Sequence, residues 1–233
     1  MNKLYLILGV VAILGIAAVA YAVGSNTLGT AATGPVDVEG LDNSERLVEL
    51  AQGVTKGDPD APVTIVEFGD YQCPACGSFA MGVKPQLELS LVESGQAKFV
   101  FYDFPLVQIH PHAFLAARAA RCAGDQDKFW EYHELLFRSQ TSWSGEANAM
   151  GSFMDYAESI GLDQSAFEEC LKSDRHADVV TANMYLGAQL GVGGTPTVLV
   201  NSGGQLRRVN GNDFPAILAV VQSLTSGEAP SGN

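Results

Sequence analysis

The sequence predicts an α/β fold in which a strand–helix–strand unit and a C-terminal hairpin enclose a long all-helical stretch. Three observations carry this. Residues 63–68 (Val-Thr-Ile-Val-Glu-Phe) are an apolar, β-branched run broken only by Thr64 and Glu67, which reads as a buried strand. A turn, a helix and a second such run at 98–104 follow, which makes a parallel, right-handed βαβ unit. From about residue 110 to 190 no strand pattern occurs, whereas 197–201 and 205–210 read as strands joined by Ser-Gly-Gly.

At 233 residues the chain has room for one domain with extras. Asp and Glu number 26 against 13 Lys and Arg, a net charge of −13. That balance argues against a nucleic-acid partner, which needs a basic face.

Residues 4–23 are uncharged and apolar, long enough to cross a bilayer, which takes ~20 residues. Lys3 precedes the run and no Lys or Arg follows until Arg46, which predicts the N-terminus inside and the remainder outside. Residues 1–23 are thus a transmembrane anchor or a signal segment, since Ala18-Val-Ala20 and Ala20-Tyr-Ala22 suit cleavage. Either way the domain is extracytoplasmic, at the periplasm or cell-envelope exterior, where cysteines are oxidised. Residues 24–43, rich in Gly, Thr, Ala and Asp, read as a flexible linker. The domain proper spans 44–225 and begins with a short helix over 44–52, capped by Ser44 and ended by Gly53.

After Cys76 the helix is predicted to run to about Glu93 with a kink at Pro85. The helical block is read as 113–123, 126–137, 147–160, 164–171 and 178–190. His110 and His112 read as a polar entry to a helix at Pro111, His133 and His176 as structural or exposed, and Asp70 as a solvated turn residue. Asp213 caps a last helix over 214–224, and 226–233 reads as a disordered tail.

The chemistry lies where the first strand meets its helix, at Cys73-Pro74-Ala75-Cys76. Pro74 suits a first helical turn, because its missing N–H has no intrahelical partner there. Cys73 then stands at a helix N-terminus, where free N–H groups and the dipole favour a thiolate. Cys76 is placed to resolve a mixed disulfide formed at Cys73. A zinc site needs a second close pair of ligands, and Cys122 and Cys170 are isolated, so the motif reads as a redox dithiol with neither metal nor cofactor. Cys122 and Cys170, alone in the helical block of an exported domain, suggest a structural disulfide. Glu67, isolated among apolar neighbours, has its ionisation disfavoured and is a candidate proton relay to Cys76.

Four features together resemble the thioredoxin-fold thiol–disulfide oxidoreductases, closest to the DsbA-like branch. They are Glu67 six residues before Cys73, the Cys73-Pro74-Ala75-Cys76 motif, the long helical insertion, and Gly194-Thr195-Pro196-Thr197 before the last strands. Ala75 stands where the family often has histidine. The resemblance implies a thioredoxin fold, a central mixed β-sheet flanked by helices, with the insertion at about 110–190. It implies a cis Thr195–Pro196 bond facing the dithiol, with Pro74, Ala75, Thr195 and Pro196 binding substrate by strand addition. The function implied is disulfide introduction into unfolded exported proteins with reduced cysteines. Recycling would fall to a quinone-linked membrane partner of the DsbB or vitamin-K-epoxide-reductase type. Open alternatives are an isomerase or reductase, or a membrane-tethered peptide-binding chaperone with a vestigial dithiol.

Overall fold

The computed structural model describes residues 31–226. The membrane-length run at residues 4–23 lies outside them, and no helix among the described residues is long and apolar enough to cross a membrane. The five-stranded sheet has the order β1-β3-β2-β4-β5, with β1 Val54–Lys56, β2 Val63–Gly69, β3 Ala97–Asp103, β4 Thr197–Ser202 and β5 Gln205–Arg208. Only β2 and β3 pair in parallel, in register Val63↔Ala97 to Gly69↔Asp103, as the βαβ reading requires. β4 joins β2 antiparallel, Phe68 opposite Thr197 and Val63 opposite Ser202. The two edge strands are the shortest, which limits the row of unpaired backbone groups open to other chains. Between β4 and β5 both turn residues have positive φ, Gly203 at 56° and Gly204 at 79°, a conformation that favours glycine and matches the strand twist.

β2 is central and covered on both sides. Val63, Ile65 and Glu67 face the main core with Phe99, Phe101, Val198 and Val200, while Phe68 and Leu199 face a smaller cluster with Val192. Helix α1 (Ser44–Leu50) is capped by Asn43, whose Oδ1 accepts the Arg46 N–H at 2.9 Å. The expected cap, Ser44, is therefore the first helical residue, one place inside. The helix from the dithiol, α2 (Pro74–Gly82), stops before Pro85 and resumes as α3 (Lys84–Leu87), followed by a wider π turn at Glu88–Val92. Pro85 cannot donate to the preceding turn, the Gln86 N–H bonds the Val83 carbonyl at 3.0 Å, and Gln86 Nε2 takes up the Gly82 carbonyl at 2.7 Å.

Six helices lie between β3 and β4: α4 (Ala113–Gly124), α5 (Phe129–Arg138), α6 (Gln140–Trp143), α7 (Met150–Ser159), α8 (Gln164–Lys172) and α9 (Ala177–Gln189). The last helix, α10 (Phe214–Thr225), is capped by Asp213, whose Oδ1 accepts the Ala216 N–H. Two elements have no counterpart in the sequence reading, β1 and α6. At three and four residues both are too short to display a period.

Part of the linker expected over 24–43 falls within the described residues, and it lies on the helical block. Arg118, fully buried, donates to the carbonyls of Ala32, Leu171, Ser173 and Arg175, and Val36 N–H donates to Thr181 Oγ1. One turn beyond Arg118, Cys122 is disulfide-bonded to Cys170, with Cα atoms 5.9 Å apart. The bond ties α4 to α8 and closes a loop with a sequence separation of 48. On the chain-entropy account its removal costs about 4 kcal/mol. The double variant Cys122→Ala/Cys170→Ala is expected to lose that amount in urea denaturation with the same sheet content by circular dichroism. A loss below about 1 kcal/mol would mean that helix packing alone holds the block.

Candidate active site

Cys73 is the N-cap of α2, with extended backbone (φ −74°, ψ 120°), and Pro74 occupies the first helical turn. Pro74 and Ala75 are exposed, Cys73 is 8% exposed and Cys76 is 0%. The two sulfurs are unbonded thiols. Thr195–Pro196 is a cis peptide, and its loop abuts the dithiol: the Cys73 thiol donates to the Thr195 carbonyl at 3.4 Å.

The two cysteines are driven in opposite directions. Cys73 falls from 9.0 to about 5, first because the Cys76 thiol donates a hydrogen bond to it. Burial opposes this, while the neighbouring Thr195 and the backbone N–H groups of Cys76 and Ala75 at the helix start assist. Cys76 is raised far above an ordinary thiol by burial, then by its bond to Cys73 and by the charge of Glu67. The outer sulfur is therefore a thiolate at neutral pH and the inner one keeps its proton.

Glu67 is completely buried, opposite Phe101 on β3 and Val198 on β4, and neither carboxylate oxygen has a hydrogen-bond partner among the described residues. Burial lifts its carboxyl from 4.5 to about 8, against the pull of Lys84, with the Cys73 charge adding to the rise. Lys84 is itself buried, paired with Glu88 at 2.6 Å and placed over the Trp130 ring at 5.0 Å.

The turn before Cys73 differs most from expectation. Asp70 is not solvated: its Oδ1 accepts Gln72 N–H at 2.7 Å, and its Oδ2 accepts Leu106 N–H at 2.8 Å and bonds His110 Nδ1 at 2.7 Å. Its own N–H donates to Cys76 Sγ at 3.4 Å. His110 and His112 are thus part of the site's support rather than a bare helix entry. His112 N–H donates to Gln72 Oε1, and Gln72 Nε2 donates to the Ser144 carbonyl. From α6, Gln140 Nε2 donates to the carbonyls of Tyr71 and Cys73 at 2.7 and 2.9 Å. Gly77 makes room for it, since a Cβ there would meet Gln140 Oε1 at 2.7 Å. His133 is fully buried, bonded to the Tyr71 hydroxyl at 2.9 Å and held well below its ordinary pKa by burial. Only the Asx-turn pattern of Asp70 to Gln72 was visible locally, because every other partner is distant in sequence.

Among the described residues one group brings metal-ligating atoms within 4.8 Å of one another, Cys122, Cys170 and His176. Both sulfurs are committed to the disulfide, so the group offers no thiolate to a metal.

The family model described as thioredoxin matches residues 49–213. A Na(+)/H(+) antiporter NhaA 1 from Salinispora arenicola is 39% identical over 192 residues, 79% of this chain but 27% of that protein's length. Disulfide bond formation protein D of Bacillus subtilis is 34% identical over 149 residues, 62% of this chain and 66% of that one. Of solved structures, oxidised BdbD from Bacillus subtilis aligns with TM-score 0.67 and 27% identity, covering 85% of this chain and 100% of that one. Wolbachia pipientis alpha-DsbA1, at 21% identity and TM-score 0.67 over 76% of this chain and 92% of that one, shares the fold. The chain spans about a quarter of the antiporter relative's length, and it belongs to the thioredoxin family, with the fold of BdbD and alpha-DsbA1.

Proposed function

We propose that this protein is an extracytoplasmic oxidase that introduces disulfides into unfolded exported proteins through Cys73 and Cys76. The observation that carries the reading is the placement of Cys73 at the helix start beside the cis Thr195–Pro196 loop, with Cys76 fully buried one turn inside, an arrangement that drives the two titrations apart. Whatever stabilises the Cys73 thiolate stabilises the reduced form, and so makes the disulfide the stronger oxidant. In the oxidised protein a substrate thiolate attacks Cys73 Sγ, the Cys73–Cys76 bond breaks, and Cys76 leaves with the electron pair. Glu67, protonated below about 8 and buried beside the dithiol, supplies the proton that Cys76 takes up. A second substrate thiolate then attacks the substrate sulfur of the mixed disulfide and expels Cys73 as a thiolate, a good leaving group. Two electrons thereby pass from substrate to dithiol. The exposed Pro74 and Ala75 and the Thr195–Pro196 loop flank Cys73, and an extended peptide is bound there through its backbone. A quinone-linked membrane oxidase of the DsbB or vitamin-K-epoxide-reductase type accepts the electrons. The N-terminal segment holds the domain at the membrane, as anchor or before cleavage.

Cys73→Ser is expected to abolish turnover of a reduced, unfolded substrate, and iodoacetamide labelling of the reduced protein should give a Cys73 midpoint near pH 5 with Cys76 silent. Equal reactivity of the two at neutral pH would sink the assignment. A second expectation follows from Glu67. Its carboxyl is raised in the folded state, so folding takes up a proton between pH 4.5 and about 8. Stability contributed by the protonated group is complete below 4.5 and is lost toward 8, by at most about 1.4 kcal/mol per pH unit. In the reduced protein Cys73, lowered from 9.0 to about 5, contributes the opposite slope, so Glu67→Gln should leave stability rising from pH 5 to 8 in urea denaturation; an unchanged slope would place the Glu67 titration elsewhere.

A further inference from the structure

Beneath the dithiol, one buried carboxylate joins two separate stretches of chain. Asp70 has no exposed side-chain surface, and it takes hydrogen bonds from Gln72 N–H inside the turn, from Leu106 N–H and from His110 on the loop after β3. The Gln72 contact alone closes the turn, as any Asx residue does. The two contacts at Oδ2 do something further: they fix the turn against residues 106–110. The element so fixed carries the Asp70 N–H, which points at the Cys76 sulfur at 3.4 Å. A sulfur that accepts this N–H through a lone pair has its own S–H left to point elsewhere, and the Cys76 thiol, which keeps its proton, lowers the Cys73 titration from beside it.

We propose that Asp70 and His110 are a positioning pair for the dithiol: by locking the turn, they hold the Asp70 N–H on Cys76 and keep the Cys76 proton directed at Cys73. The pair touches neither sulfur with its side chains and transfers no electron or proton. It rests on the reading of Cys73 and Cys76 as the reacting couple. Without the pair the turn relaxes, the Cys76 thiol rotates, and the Cys73 thiolate loses its main donor. The reduced form is then less stable and the protein a weaker oxidant.

The test compares wild type with His110→Ala, His110→Gln and Asp70→Asn, with Cys73→Ser as control. Three quantities are read: the equilibrium constant against glutathione, the pH midpoint of Cys73 alkylation, and Tm. His110→Ala should shift the equilibrium about threefold or more toward the disulfide form and raise the alkylation midpoint. His110→Gln restores an N–H donor to Asp70 and should recover the wild-type constant to within about twofold. Asp70→Asn keeps an oxygen for Gln72 but sets an amide N–H where Leu106 needs an acceptor, so it should move with His110→Ala. A fall in Tm with unchanged equilibrium and midpoint would overturn the proposal. So would failure of both His110→Ala and Asp70→Asn to fold, because the pair would then be a stability element. A Cys73→Ser variant that still turns over disulfides would instead remove the dithiol reading, and this proposal with it.

Discussion

Cys73 caps the start of a helix and Cys76 lies one turn inside it, fully buried, and this placement governs the chemistry of the molecule. The neighbouring Cys76 thiol is the first cause of the depressed Cys73 titration, and burial is the first cause of the raised Cys76 titration. That contrast rests on one sulfur fully buried and the other 8% exposed. Placement at the N-terminus of a helix achieves that division: residue N-cap faces outward over free N–H groups, and the residue three places on turns into the core. The central strand then brings Glu67 beneath the buried sulfur, in a setting of aromatic and aliphatic neighbours where a carboxyl retains its proton.

The helical insertion has a second use beyond covering the sheet. The turn from Gly69 to Cys73 is fixed almost wholly by groups from the insertion and the loop leading into it. Gln140 holds the carbonyls of Tyr71 and Cys73, His133 holds the Tyr71 hydroxyl, and His112 and Ser144 hold the Gln72 amide. A strand-to-helix turn of this length, left to itself, samples many conformations; here its polar groups are nearly all committed. The Cys122–Cys170 bond ties α4 to α8 within that same block, and so steadies the scaffold on which the turn rests.

Much of this was legible in the sequence where the signal was local. The buried character of β2 followed from its β-branched run, the parallel pairing from the strand–helix–strand order, and the break near Pro85 from the missing N–H. Glu67 stood out because nothing polar adjoins it except Thr64. The structure also joins Cys122 to Cys170. What escaped depends on partners far away in sequence. Asp70 has the composition of a solvated turn residue, and only folding brings Leu106 and His110 to its carboxylate. Strand β1 pairs with β3 over three residues, and α6 is a single turn, so neither carries a readable period. The docking of Ala32 and Val36 onto Arg118 and Thr181 was invisible for the same reason: a segment of small and polar residues looks like linker until a buried arginine needs its carbonyl.

The central claim is that the reduced form is stabilised at Cys73, so that electrons flow from substrate thiols into this protein. Equilibrating the Cys73/Cys76 couple with glutathione measures it directly. A Cys73 titrating near 5 lies between a thioredoxin cysteine at about 7 and that of DsbA at about 3.5. The account therefore predicts a potential on the order of −180 mV, between roughly −270 mV for thioredoxin and −120 mV for DsbA. A value at or below about −270 mV would contradict it and make the protein a reductase.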